Sequence, residues 1–154
     1  MTDKLFDEHD DDANTPLDAE EHQQLIPSYI TLRRELNEAE QINIAHAAKW
    51  LSSRRGDLLD EGFLRELHRR MFGQVWRWAG KYRETPRNIG VDANRIRMDI
   101  AQAIDDARFW AANATYAPDE IAVRYAHRLV AIHPFPNGNA IGSTSLFVGK
   151  PKPH

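Results

Sequence analysis

The residues best suited to chemistry lie in one short segment, His-Pro-Phe-Pro-Asn-Gly-Asn at positions 133–139. Because the chain contains no cysteine, thiolate nucleophiles, disulfides and the usual structural zinc sites are excluded. Any chemistry must therefore come from histidine, carboxylates, hydroxyls or the main chain. Histidine titrates at about pH 6.5, so a neutral His133 can accept a proton near physiological pH. Taken alone, His-Pro-Phe also fits a simple helix end, with proline as the breaker.

The other histidines form no recognisable metal-binding pattern. His127 precedes His133 by six positions, whereas two ligands on one helix face are separated by four. His46 and His68 are isolated in the sequence. We therefore expect structural roles for these histidines and no zinc site.

Composition indicates one ordinary globular domain. A length of 154 residues suits a single core, and 42% hydrophobic with 28% charged residues is typical of a folded chain. The net charge of -3 argues against nucleic acid or an anionic membrane as a partner. The sequence shows neither a membrane-spanning apolar run nor a basic leader, so we expect a cytoplasmic protein. Composition leaves self-association into a homo-oligomer open.

The helical pattern covers most of the chain after an acidic leader. Residues 1–14 are rich in acidic side chains and predict a disordered, solvated segment. A short helix or turn is expected between Pro16 and Pro27. Four longer helices are then predicted, at about 30–51, from about Asp60, around Ile100–Ala111, and from Pro118 to just before Pro134.

Helical spacing disappears at about 80–97. This stretch contains Pro86, Gly90 and a polar turn at 92–94 between short alternating runs, a pattern that predicts a β-hairpin flap. The fold class is therefore mainly α with a small β-hairpin. The flap is also basic, which would suit an acidic target or a nucleotide; a solvated edge is the simpler alternative. Its cationic residues are Lys81, Arg83, Arg87, Arg95 and Arg97.

Taken together, these motifs resemble the Fic (filamentation induced by cAMP) family, whose motif is H-x-F-x-[D/E]-G-N-G-R-x-x-R. The matching text is His-Pro-Phe and Gly-Asn within 133–139, after a helix reading RYAHRLVAI. WAGKYR at 78–83 and the following NIG are similar to the start of the family's flap. The resemblance is nearest to protein adenylyltransferases with an N-terminal inhibitory helix. It implies a regulatory segment at 15–55, a Fic-type core at 56–139 and a tail at 140–154 outside the family pattern.

The resemblance also implies a reaction and roles for the motif residues. His133 would be the general base that accepts a proton from a Ser, Thr or Tyr hydroxyl of a target protein as it attacks the α-phosphate of ATP. Phe135 would anchor the loop in the core, and Gly138 and Asn139 would offer main-chain N–H groups to phosphate. Mg²⁺ would accompany ATP, and the target would dock at the flap by strand addition.

The motif departs from the family after its first half. Asn137 stands at the acidic magnesium position and brings no negative charge. Ala140 replaces a glycine, and Ile141 and Thr144 replace two arginines, which removes both phosphate clamps. We therefore expect impaired nucleotidyl transfer. The alternative is a catalytically inactive, truncated or frameshifted relic that acts by binding.

An inhibitory signature, [S/T]-x-x-x-E-[G/N], is similar to the text TLRRELN at 31–37. Thr31 and Glu35 match it, whereas Leu36 occupies the Gly/Asn position. In the family the glutamate pairs with the motif's second arginine, which is Thr144 here. Without the resemblance, Glu35 would belong to a solvated helix face.

Overall fold

A computed structural model describes residues 14–54, 57–87 and 89–136. The described chain consists mainly of α-helices joined by turns. They are α1 (Ala19–Gln24), α2 (Arg33–Ser53), α3 (Glu61–Phe72), a 3₁₀ turn (Ala93–Arg95), α4 (Ile96–Ala112) and α5 (Pro118–Ile132). The four longer helices confirm the sequence prediction. The predicted leader apart from Asn14, the motif residues Asn137, Gly138 and Asn139, and the tail at 140–154 lie outside the described residues.

Helices α2 and α3 pack against each other, as do α4 and α5. The buried line of α2 runs through Leu36, Asn43, Ala47 and Leu51, whereas Ile44 and Ala48 are only partly buried. The Asn43 side chain donates to Arg70 O at 2.7 Å and accepts from Gln74 N at 3.0 Å. An amide side chain with both groups hydrogen-bonded thus takes the place of an apolar residue at the α2–α3 contact. The spacing of apolar residues in the sequence could not predict that Asn43 is buried.

Helix α3 is the clearest amphipathic element. Its N-cap Asp60 accepts from Phe63 N at 3.0 Å, which stabilises the first turn. Phe63, Leu67 and Met71 recur on one face and are all buried. Full burial of such side chains contributes roughly 1.5–3 kcal/mol each, so this face fixes α3 in the core.

Helix α5 carries the site segment at its end. Pro118 occupies the first turn, where its missing N–H costs nothing, and Asp119 and Glu120 complement the helix dipole. Tyr125, Leu129 and Ile132 bury one face, which holds the end of α5 in the core. None of the helices within the described ranges combines the length and apolar character required to cross a bilayer.

The predicted hairpin at 80–97 is not formed by the described residues of that segment. Residues 81–87 and 89–92 carry no paired strands, and a 3₁₀ turn follows them. The reason lies in their hydrogen bonds: Arg83 N donates to Pro134 O at 2.9 Å and Val91 N donates to Ile132 O at 3.2 Å. Because both N–H groups bond to the end of α5, they are not available to pair the two halves of the segment with each other.

The segment before α2 is fastened beside the loop after α3. Ile26 N donates to Val75 O at 2.8 Å, and Arg77 N donates to Gln24 O at 2.9 Å. Helix α1 is capped by Asp18, whose carboxylate accepts from Glu21 N at 2.7 Å. These bonds place a short acidic helix next to the aromatic residues at 76–78.

Candidate functional site

His133 lies at the point where α5 ends. Its main-chain N–H still donates to Leu129 O at 3.1 Å, but its φ of 54° and ψ of 61° are left-handed. Pro134 disfavours a further right-handed turn at His133, so the chain leaves the helix here. Side chains other than glycine rarely adopt this conformation, and such strain is concentrated at functional sites. The surrounding residues must therefore hold the half-buried histidine in place.

Arg83 provides most of that support. It is buried, with 3% exposure, although its guanidinium makes no ion pair within the described part of the chain. Instead Nε donates to His133 O at 2.6 Å, Nη1 donates to Thr85 O at 3.0 Å, and Nη2 donates to Val91 O and, at 3.3 Å, to Ile132 O. The guanidinium is planar and permanently charged. It thus links the carbonyls of Ile132 and His133, on either side of the strained backbone, to the segment at 80–97.

Gly90 forms the wall beside the histidine. Its φ of +95° is strained for any side chain, and a Cβ there would lie 2.6 Å from the His133 Cβ. It would also lie 2.8 Å from Ile132 O and 2.9 Å from Arg83 Nη2. Only glycine lets the main chain approach His133 this closely.

Phe135 is buried, at 1% exposure. Its ring stacks on His68 with centroids 3.7 Å apart and an interplanar angle of 15°. His68 belongs to α3 and is itself fully buried; its Nδ1 accepts from Gly80 N at 2.8 Å. Through His68, the loop after α5 therefore contacts α3 and Gly80, where the segment at 80–97 begins.

The surroundings favour a neutral imidazole at His133. Burial lowers the pKa of this histidine, and the positive charges of Arg83 and Arg87 lower it further. A neutral imidazole has an acceptor nitrogen, so the site presents a group able to take a proton at neutral pH.

A cleft of about 330 Å³ opens next to the histidine loop. Arg87 and Pro136 line one part of it, and Trp76 and Trp78 line another, stacked at 5.0 Å. The remaining lining comes from Asp18 and from Glu20, Glu21 and Gln24 of α1. The acidic segment before α2 therefore borders the same cleft as Pro136 of the loop that follows His133.

The two residues of the inhibitory signature lie together at the start of α2. Glu35 Oε1 accepts from Thr31 N at 3.4 Å, Thr31 Oγ1 at 3.3 Å and Leu32 N at 3.2 Å. Among the described residues, no hydrogen bond joins Glu35 to 132–136. The pair thus caps its own helix, and its inhibitory role stays a prediction.

The structure describes both His133 and Phe135, two positions apart after α5, whereas Asn137, Gly138 and Asn139 fall outside the described residues. Within the described ranges no group of three histidine or acidic side chains is arranged to hold a metal ion. Sequence reasoning missed the parts played by Arg83 and His68. The available signals were an arginine inside WAGKYR and a histidine on the apolar face of α3.

The sequence profile of the Fic/DOC family matches residues 58–147, more than half of the chain. No curated protein matches.

Solved structures show the same fold at low identity. The N-terminal FIC domain of the Bep8 effector from Bartonella sp. 1-1C aligns with a TM-score of 0.63 and 18% identity, covering 77% of this chain and 65% of that domain. BepC from Bartonella tribocorum with bound AMPPNP aligns at 0.63 and 17%, covering 84% and 76%. A Bartonella quintana Fic domain with bound ADP aligns at 0.59 and 18%, covering 75% and 67%. The chain thus spans about two thirds of the length of the first of these domains.

Proposed function

Because the chain belongs to the Fic/DOC family, we propose that it transfers AMP from ATP to a hydroxyl of a protein, at a reduced rate. The observation that carries the proposal is His133, a histidine with a lowered pKa held in a left-handed conformation two positions before the buried Phe135. Similar Fic domains have been solved with AMPPNP and with ADP, which supports a nucleotide as one substrate.

The proposed step is a single displacement at phosphorus. The oxygen of a Ser, Thr or Tyr hydroxyl forms a bond to the α-phosphorus of ATP, and His133 accepts the hydroxyl proton. The bond from the α-phosphorus to the oxygen shared with the β-phosphate breaks, and pyrophosphate leaves. Arg83 contributes by fixing the carbonyls of Ile132 and His133, which orients the base.

Magnesium enters the proposal only through the family resemblance. Asn137 stands where the family has a carboxylate, and no acidic cluster suited to a metal occurs among the described residues. An amide oxygen is a weaker recruiter of Mg²⁺ than a carboxylate. If Asn137 takes the carboxylate's place, Mg²⁺ would accompany ATP at a weakened site, and the step above describes what His133 and Arg83 contribute.

A second candidate function is binding without catalysis. The observation that favours it is the sequence of the motif's second half, where Ile141 and Thr144 replace the two arginines of the family pattern. Electrostatic stabilisation of developing phosphate charge is a large part of phosphoryl-group chemistry, so its loss is costly. An inactive chain could still bind the protein that the family enzyme would modify.

The test uses ATP labelled either at the α- or at the γ-phosphate, with a protein extract as acceptor. AMP transfer labels protein from α-labelled ATP only, and the label should disappear in His133→Ala. His127→Ala is the matched control, because His127 is exposed on the same helix and should retain full labelling. Labelling by neither nucleotide would overturn the enzymatic proposal and favour the binding function.

A repaired variant separates the two explanations of a weak signal. It combines Asn137→Asp, Ala140→Gly, Ile141→Arg and Thr144→Arg, which restores the family's motif. If missing side chains limit the rate, labelling should rise by at least tenfold, since each removed transition-state contact typically costs about that much or more. An unchanged signal would mean that these side chains are not the limiting defect.

A further inference from the structure

His68 is a fully buried histidine of α3 that the proposed step does not use. It lies on the buried face of that helix, at 0% exposure. A core histidine normally does no more than pack and form local hydrogen bonds. The ring of His68 contacts Gly80 and Phe135, however, and these residues belong to the two chain segments that meet at His133.

The edge of the His68 ring supplies an acceptor that an apolar side chain could not provide. Nδ1 accepts from Gly80 N at 2.8 Å, so Nδ1 carries no proton. Gly80 is itself buried and has a φ of +76°; a Cβ there would lie 3.0 Å from the Arg69 Cβ and 3.1 Å from Arg65 O. The turn therefore lies directly against α3. Because a buried N–H without an acceptor is costly, this bond holds the ring in one orientation.

The face of the same ring supports Phe135. The two ring centroids are 3.7 Å apart and the planes differ by 15°, which is van der Waals contact between flat rings. Tyr82 approaches Phe135 as well, with centroids 5.5 Å apart and a tilt of 45°. The place of the Phe135 ring is thus set by two other rings, of which His68 is the nearer.

The link from Phe135 to His133 is short and stiff. Pro134 stands between them, and its ring fixes its own φ, so few main-chain rotations separate the buried phenyl ring from the histidine. Arg83 N donates to Pro134 O at 2.9 Å and holds the same link. A displacement of Phe135 must therefore move the main chain at His133 or break this hydrogen bond.

From this geometry we infer that His68 is a positioning residue for the proposed reaction. Its face holds Phe135, its edge is anchored by Gly80, and the two contacts together fix the place of His133. Arg83 acts on the carbonyls beside His133, whereas His68 acts on the ring two positions beyond it. The inference rests on the proposed function for what His133 does, but the place of His133 can be measured without any reaction.

Two substitutions separate the face of the ring from its edge. His68→Asn keeps a short acceptor and removes the face. In this variant an NMR titration should show the pKa of His133 rising toward its ordinary value, because a displaced imidazole leaves the burial and the charges that lower it. Labelling per folded molecule should fall about tenfold or more, with little change in the KM for ATP. His68→Phe keeps the face and removes the acceptor, so it should destabilise the fold and change His133 less.

The matched control is Phe63→Leu. It also removes a ring from the buried face of α3, but Phe63 stacks on Trp50 of α2, at 5.9 Å. It should lower stability and leave both the pKa of His133 and the labelling per folded molecule unchanged. If His68→Asn does not fold, Phe135→Leu weakens the same stack from the other side and should raise the pKa of His133 in the same way.

An unchanged pKa of His133 in His68→Asn, or in Phe135→Leu where the first variant does not fold, would overturn the inference. An equal rise in Phe63→Leu would also overturn it, since any loss of core packing would then suffice. A raised pKa in a protein whose parent chain labels no acceptor would sink the proposed reaction and leave the positioning role of His68 standing.

Discussion

Replacing Arg83 by methionine should destabilise the protein and release His133. Methionine keeps an unbranched apolar stem of similar length but donates no hydrogen bond. The substitution therefore removes the guanidinium that joins the end of α5 to residues 85 and 91. It leaves the bond from the main-chain N–H of residue 83 to Pro134 O in place.

The magnitude follows from which carbonyls lose their donors. Ile132 O keeps the Val91 N–H, and Thr85 lies in an exposed stretch where water can replace the lost donor. His133 O and Val91 O, in partly buried positions, lose the guanidinium. At about 1–3 kcal/mol for each stranded carbonyl, less the relief of removing a buried charge, we expect a loss of about 3 kcal/mol. That is a large share of the ~5–15 kcal/mol typical of a domain.

Two measurements check this prediction. Urea unfolding should show the free energy of unfolding reduced by about 3 kcal/mol, against less than about 0.5 kcal/mol for Arg87→Met, whose side chain is exposed. An NMR titration should show the pKa of His133 rising in both variants, because both arginines hold it down. Equal stabilities of the two variants would refute the reasoning, since the carbonyls would then be satisfied without Arg83.

The same titration fixes the pH dependence of stability. Burial and nearby cations hold the folded-state pKa of His133 below its ordinary value of about 6.5, so the folded chain binds fewer protons there than the unfolded chain. The resulting stabilisation is complete above about pH 6.5 and is lost as the pH falls through the folded-state pKa. In Arg83→Met the folded-state pKa of His133 should lie closer to its ordinary value, so the pH range over which stability changes should become narrower.

Two further substitutions test the site and the inhibitory signature. Gly90→Ala should cost roughly 2–4 kcal/mol in thermal unfolding and abolish labelling, because a positive φ and a contact of 2.6 Å with the His133 Cβ both oppose it. Gly62→Ala is the milder comparison, because its Cβ would meet only the Asp60 cap oxygen, at 3.0 Å, and no main chain. Glu35→Ala should cost about 1 kcal/mol by removing a helix cap. If Glu35 does no more than cap α2 with Thr31, labelling per folded molecule should stay unchanged, and a rise of several-fold would instead show inhibition.

The helices were predictable because their signals are local. Asp60 and Pro118 mark helix starts, and Pro134 marks the end of α5. The buried line of α2 includes Asn43, which enters the core through hydrogen bonds to residues 70 and 74, and no apolar period reveals such a residue. The hairpin prediction failed for the described part of 80–97 for a similar reason: its hydrogen bonds go to a distant helix end.

The residues of the candidate site also differ in whether local sequence could predict their roles. His133 and Phe135 could be named from the motif, because their types and spacing are themselves the signal. Arg83 and Gly90 could not be given their roles, since each acts on a residue more than forty positions away. His68 looked isolated in the sequence and proves to be the surface on which Phe135 stacks.

These distant contacts also explain how His133 can keep its left-handed backbone. Such a conformation costs a non-glycine residue about 1–2 kcal/mol, and an isolated helix end would relax from it. Here the two carbonyls on either side of the strained dihedrals both accept from Arg83, and Gly90 leaves no room for the Cβ to move toward it. Hydrogen bonds from a charged donor are worth about 1.5–3 kcal/mol each, so the contacts outweigh the strain. The position of His133 is therefore set by residues of the 83–91 segment rather than by the helix that carries it.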